Sequence, residues 1–154
     1  MNVDILEGRN LKRSKHNLSH YRLLTCDMGE LIPIGLVEVL PGDTVQHATS
    51  MLVRASPLAT PPMHPVNVRV HHWFVPLRLI WEDFEAFITG GPDGLDASVF
   101  PTCTPNVTEG SLGDYLGLPV QNYAGNPVSV LPFRAYAKIF DDFYRDQDLG
   151  TPTA

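Results

Sequence analysis

The tetrapeptide Leu40-Pro41-Gly42-Asp43 restricts the fold more than any other stretch, because it forces a reversal between two extended apolar segments. Proline is preset near the φ that the second turn position requires, and glycine takes positive φ at the third without a steric cost. Before the turn, residues 31–40 read LIPIGLVEVL, where β-branched side chains favour a strand and Pro33 and Gly35 oppose a helix. A bulged or edge strand is suggested, and burial on both faces fits best. After the turn, residues 44–54 partly alternate, with Val45, Met51 and Val53 on one side and Gln46, Ser50, Leu52 and Arg54 on the other. This predicts a second strand.

Pro57, Pro61, Pro62 and Pro65 stiffen the next connection and remove ladder donors, so residues 56–65 are expected to cross between elements as an extended loop. Residues 66–75 then alternate cleanly. Val66, Val68, Val70, His72 and Phe74 share one face, and Asn67, Arg69, His71, Trp73 and Val75 share the other, which predicts a third strand with a core-facing side.

The period changes at residue 80. Ile80, Phe84, Phe87 and Ile88 recur at helical spacing before Gly90-Gly91, predicting a short amphipathic helix that stops there. Residues 93–126 are punctuated by Gly94, Pro101, Pro105, Gly110, Gly113, Gly117, Pro119 and Gly125, and are expected to form a long surface excursion with one short helix over 111–116. A second main helix is expected over 132–145, with Pro132 acceptable in its first turn and Phe133, Tyr136, Ala137, Phe140, Phe143 and Tyr144 at three- and four-residue steps. Burying the five rings of that stripe contributes up to about 5–10 kcal/mol. Three strands make too small a sheet to cover two aromatic helices and protect its own edges. The stripe therefore calls for a partner chain or further polypeptide.

Composition narrows the class. Glycine and proline together supply 26 of 154 residues and lie between the apolar runs, which favours strands and loops over a helical bundle. No apolar run has the length of a membrane span, and the N-terminus has no apolar core of the signal-peptide kind. Cys26 and Cys103 stand far apart without a CxxC partner, so free thiols in a reducing cytoplasm are expected. Residues 1–25 hold Arg9, Lys12, Arg13, Lys15 and Arg22 against Asp4 and Glu7, a net +3, which leaves −9 for the remainder of a chain at −6. Residues 1–19 show no sustained period and read as a basic, mobile arm. Such an arm either touches nucleic-acid phosphates through Arg9, Lys12, Arg13 and Lys15 or is simply solvated.

Chemistry-bearing groups are sparse. His64, His71 and His72 are close in sequence, but consecutive residues of a strand face opposite ways, so at most one of the pair joins His64, and no cysteine or carboxylate completes a metal set. Asp141, Asp142, Asp146 and Asp148 read as a solvated acidic face opposite the aromatic stripe. Pro92-Asp93-Gly94-Leu95-Asp96 lacks the ligand series of a calcium loop and reads as a turn. Gly110, Gly113 and Gly117 surround Asp114 without the lysine and serine of a phosphate loop. No nucleophile triad has local support, so neither an enzyme nor a cofactor is expected.

Five blocks carry a specific resemblance: LSHYRLLTCDMGELIPI, EVLPGDT, PLATPPMHPVNVRVHHWFVPLRLIWEDFEAFITGG, SLGDYLGLP and LPFRAYAKIFDDFYRDQDL. In order and spacing they resemble the N-terminal part of gokushovirus-type microvirus major capsid proteins, over about residues 18–149. The resemblance implies a structural virion protein of a small icosahedral single-stranded DNA bacteriophage. The implied fold is mainly β with helical insertions: a partial viral jelly-roll, an antiparallel β-sandwich of which this chain holds the first strands only. It divides into an arm over 1–19 and the front of the capsid domain over 20–154, with an insertion at about 78–149. Implied partners are other capsid subunits, an internal scaffolding protein during assembly and the packaged single-stranded DNA, with no membrane. The implied locations are the virion and, during assembly, the host bacterial cytoplasm. Related proteins continue well past the position of Thr151-Pro152-Thr153-Ala154, so an N-terminal fragment or truncated reading frame is expected. Phe133, Tyr136, Phe140, Phe143 and Tyr144 then become packing residues for neighbouring subunits or the missing domain. The competing reading is a carbohydrate-binding β-sandwich in which Trp73, Trp81 or Tyr115 stacks on sugar rings. A metalloenzyme using His64 with His71 or His72 is a third.

Overall fold

The reversal at residues 40–43 forms as expected: the Asp43 N–H donates to the Leu40 carbonyl at 3.1 Å, with Gly42 at φ 86°. The computed structural model describes residues 12–153. Arg9 and most of the expected arm lie outside the described residues.

The strands expected on either side of that turn do not form. Residues 31–40, 44–54 and 66–75 carry no backbone ladder, and most of their apolar side chains stay in solvent, from Val39 and Val45 through Val53, Val66 and Val68 to Phe74 at 78% exposure, with Ile32, Val70 and Val75 half-buried. Neither the doubly buried strand expected at 31–40 nor the core face expected at 66–75 is present. The physical reason is that an alternating apolar pattern describes compatibility with a sheet and supplies no partner for it; a lone hairpin is marginal in water. The alternation itself survives: His71 and Trp73 face the helix over residues 131–143, while His72 meets Thr49 and His47 on the other side.

Regular structure lies in the second half of the chain. A 3-10 turn at Leu77–Leu79 leads to α1 at Phe84–Thr89, which ends on Gly90 at φ 80°. Glycine suits this left-handed cap because it has no Cβ to strain, and its N–H returns to Ala86. Trp81, 7% exposed, sits among Phe84, Phe87 and Phe100 at ring separations of 5.9, 5.0 and 5.6 Å. β1 at Thr102–Cys103 pairs antiparallel with β2 at Val128–Ser129. The pairing continues irregularly inward through the Asn106–Asn122 bridge, Val107 N–H to Gln121 O at 3.0 Å and Tyr123 N–H to Pro105 O at 3.1 Å.

Between these arms lies α2 at Leu112–Leu116, closed by Gly117, and after β2 comes α3 at Leu131–Phe143. The region expected to be a surface excursion therefore contains two of the most buried residues described, Val107 at 2% and Tyr123 at 6%. Gly113 explains how α2 docks: a Cβ there would lie 2.9 Å from Val107 Cγ2 and 3.7 Å from Phe133 Cζ, so only glycine permits this approach. Leu131 completes the small core at 7% exposure.

The total accessible surface is 13994 Å². A compact monomer of 17.1 kDa is expected to show about 7,800 Å², so this chain exposes about 1.8 times as much. Self-burial is incomplete.

Candidate functional site

The aromatic face of α3 organises the contacts between the two halves of the chain. Its sequence has no long β-branched run, Pro132 occupies the first turn where a missing N–H costs nothing, and the Leu131 N–H is met by Ser129 Oγ at 3.3 Å. Phe133 turns toward Gly113 on α2. One turn later, the Tyr136 hydroxyl donates to the Leu31 carbonyl at 2.6 Å. Burial pushes the Tyr136 phenol above its ordinary value of 10.0, so it stays a neutral donor.

Phe143 stacks on Trp73 with ring centres 4.0 Å apart. Tyr144 lies over His71 at 5.9 Å and hydrogen-bonds to its Nδ1. Phe140 is half-buried. Phe133, Tyr136, Phe143 and Tyr144 each meet another segment of this same chain, yet Phe143 remains 59% exposed and Trp73 42%. A groove of about 180 Å³ runs between Trp73, Val75 and Leu79 on one side and Ile139 and Phe143 on the other.

A second set of contacts holds residues 22–25 against α2. Arg22 Nη2 donates to the Asp114 carbonyl at 3.1 Å, and the Tyr115 hydroxyl donates to the Thr25 carbonyl at 2.9 Å. Desolvation raises the Tyr115 phenol above 10.0, and the charges of Glu30, Cys26, Asp114 and Asp27 push in the same direction. Every one of these tethers runs from a side chain to a backbone carbonyl. They fix position without a sheet.

The other expected site residues resolve differently. Lys12, Arg13 and Lys15 are exposed on chain without regular structure. Asp142 pairs with Lys138 at 3.0 Å, whereas Asp141 corrects the expectation of a solvated acidic face: it lies 3.6 Å from Arg145, only 11% of its side chain is exposed, and it accepts the Thr153 N–H at 2.8 Å. Asp146 caps a turn through the Asp148 and Leu149 N–H groups. The Asp93–Asp96 turn forms, closed by Asp96 N–H to Gly90 O at 3.0 Å. Asp114 accepts the Gly110 N–H at 3.0 Å, which gives the glycine cluster a structural role.

Among the described residues, no group of three metal-ligating side chains gathers, and His71 and His72 are engaged by Tyr144 and Thr49. Cys26 and Cys103 are free thiols. No helix among the described residues is long and apolar enough to cross a membrane. The sugar-stacking reading loses Trp81 to the core and finds Trp73 covered on one face by Phe143. One feature escaped the sequence: His47 approaches His72, with ring centres 4.4 Å apart and Thr49 Oγ1 2.9 Å from both Nε2 atoms. Its only signal was that His47 and Thr49 lie on one side of the proline crossing and His72 on the other.

This geometry defines a packing segment, with aromatic and backbone-directed contacts in place of a convergent polar cleft. Residues 5–154 match the family described as "Capsid protein (F protein)", and the chain belongs to that family. It is 40% identical over 152 residues to the capsid protein VP1 of Chlamydia phage 1, a match covering 90% of this chain and 25% of that protein. Against VP1 of Spiroplasma virus 4 the identity is 33% over 156 residues, covering 97% and 28% respectively. Against VP1 of Bdellovibrio phage phiMH2K it is 34% over 142 residues, covering 89% and 26%. The chain spans about a quarter of the length of these relatives.

Proposed function

We propose that this chain is the N-terminal part of a major capsid protein that assembles into the icosahedral shell of a small single-stranded DNA bacteriophage. The observation that carries the reading is the capsid-family match over residues 5–154. The uncovered apolar surface supports it, because shell subunits derive assembly energy from repeated burial between identical copies and need no catalytic centre.

In this reading, residues 31–40, 44–54 and 66–75 are the first strands of a jelly-roll. They gain ladders from the remainder of the subunit, and α3 presents its aromatic face to that remainder or to a neighbouring subunit. The partners are other capsid subunits, an internal scaffolding protein during assembly and the packaged single-stranded DNA. The protein resides in the virion and, before that, in the host bacterial cytoplasm. Arg9, Lys12, Arg13 and Lys15 form an interior arm that touches DNA phosphates by charge and proximity.

An electron cryo-microscopy map of particles whose subunit carries this segment tests the assignment. Residues 31–40 and 66–75 should lie in multi-stranded sheets, with Phe74 and Phe143 covered. Particles that form without this segment in their shell would overturn the reading. Replacing all four arm residues with alanine should lower genome retention more than shell formation; unchanged retention would remove the arm's proposed role.

A further inference from the structure

Two segments lacking a common ladder, 44–54 and 66–75, meet through His47, Thr49 and His72. His47 and Thr49 are two residues apart on extended chain and so share a side, and His72 reaches them across 23 residues of sequence from Thr49. Both Nε2 atoms stand 2.9 Å from the same hydroxyl oxygen, and the rings are nearly perpendicular at 73°. A single hydroxyl has one hydrogen, so it donates to one imidazole and accepts from the other. With both rings in the Nδ1–H tautomer, two lone pairs point at one spot.

We propose that His47 and His72 form a binding site for a divalent transition metal, with zinc as the representative ion. Imidazole nitrogen is the preferred neutral donor for such ions, and zinc–nitrogen bonds are about 2.0–2.1 Å long. An ion at the point now held by Thr49 Oγ1 requires each ring nitrogen to move by about 0.8–0.9 Å, with the threonine side chain rotating aside. All three residues are exposed, so water completes the coordination sphere. The bound ion closes the loop between residues 47 and 72. It supplies the link between these segments that backbone pairing does not.

The test uses the 154-residue chain with added zinc, read by X-ray absorption at the zinc edge, which reports ligands in soluble and sedimented protein alike. One ion per chain with two imidazole ligands is expected. His47→Gln and His72→Gln should each leave a single imidazole and weaken uptake at least tenfold, while His64→Gln binds as the parent does. Glutamine preserves a polar contact to Thr49, and both positions are exposed, so the surrounding structure is retained. Amide exchange over 44–54 and 66–75 should slow on zinc addition in the parent and in His64→Gln, and in neither His47→Gln nor His72→Gln. Absence of zinc uptake by the parent, uptake by His47→Gln or His72→Gln equal to the parent's, or an equal loss in His64→Gln would overturn the site.

Discussion

Substituting Gly113→Ala places two opposing effects at one atom. Gly113 is inside α2 with ordinary helical backbone, where alanine is favoured over glycine by about 0.8–1.0 kcal/mol. The new Cβ, however, meets Val107 Cγ2 at 2.9 Å and Cγ1 at 3.4 Å, and Val107 is 2% exposed and branched at Cβ. Its stiff side chain cannot swing away, and overpacking of this kind costs about 1–3 kcal/mol. Contact at Phe133 Cζ, 3.7 Å away, is ordinary and adds little. The clash therefore wins by about 1–2 kcal/mol at the upper part of that range. Hydrogen exchange at the Val107 and Leu118 amides, which bond to Gln121 O and Gly113 O, should accelerate about 5- to 30-fold. Adding Val107→Ala should recover part of the loss, a coupling that a double-mutant cycle measures. Slower exchange in Gly113→Ala would refute the steric argument and show that helix propensity decides.

Further outcomes follow from the aromatic and phenolic contacts. Tyr115 and Tyr136 have folded-state phenols raised above 10.0, so the stability they contribute is complete below that pH and is lost as pH rises through the folded values. Exchange over residues 25–31 should accelerate above about pH 10 ahead of α3, and Tyr136→Phe, losing at most about 1 kcal/mol, should flatten that dependence. A dependence unchanged by both Tyr→Phe substitutions would place its origin elsewhere. Phe143→Ala removes a stacked pair worth about 0.5–1.5 kcal/mol and should make Trp73 more quenchable by acrylamide, leaving the protected emission of Trp81 unaltered. Equal changes in both tryptophans would mean that Phe143 supports the whole fold.

The sequence was most informative where structure is local. Gly42 at φ 86°, Gly90 at φ 80° and the three- and four-residue steps of α3 each need only neighbours within a few residues, and the turn, the α1 stop and the aromatic helix are where they were expected. The stretch over 93–126 hid its core because Val107 and Tyr123 sit on pairings too short to show a period between glycines and prolines. The three apolar segments mark the opposite case. Their pattern states compatibility with a sheet, and no ladder forms on them among the described residues. The His47 and His72 approach was invisible because it depends on two extended segments meeting in space.

Sedimentation equilibrium of the isolated 154-residue chain, with binding of a hydrophobic dye followed in parallel, addresses the central claim most directly. With about 1.8 times the surface of a compact monomer, the chain is expected to associate with rising concentration and to bind the dye. A monodisperse monomer that excludes the dye and unfolds in one calorimetric transition would contradict it.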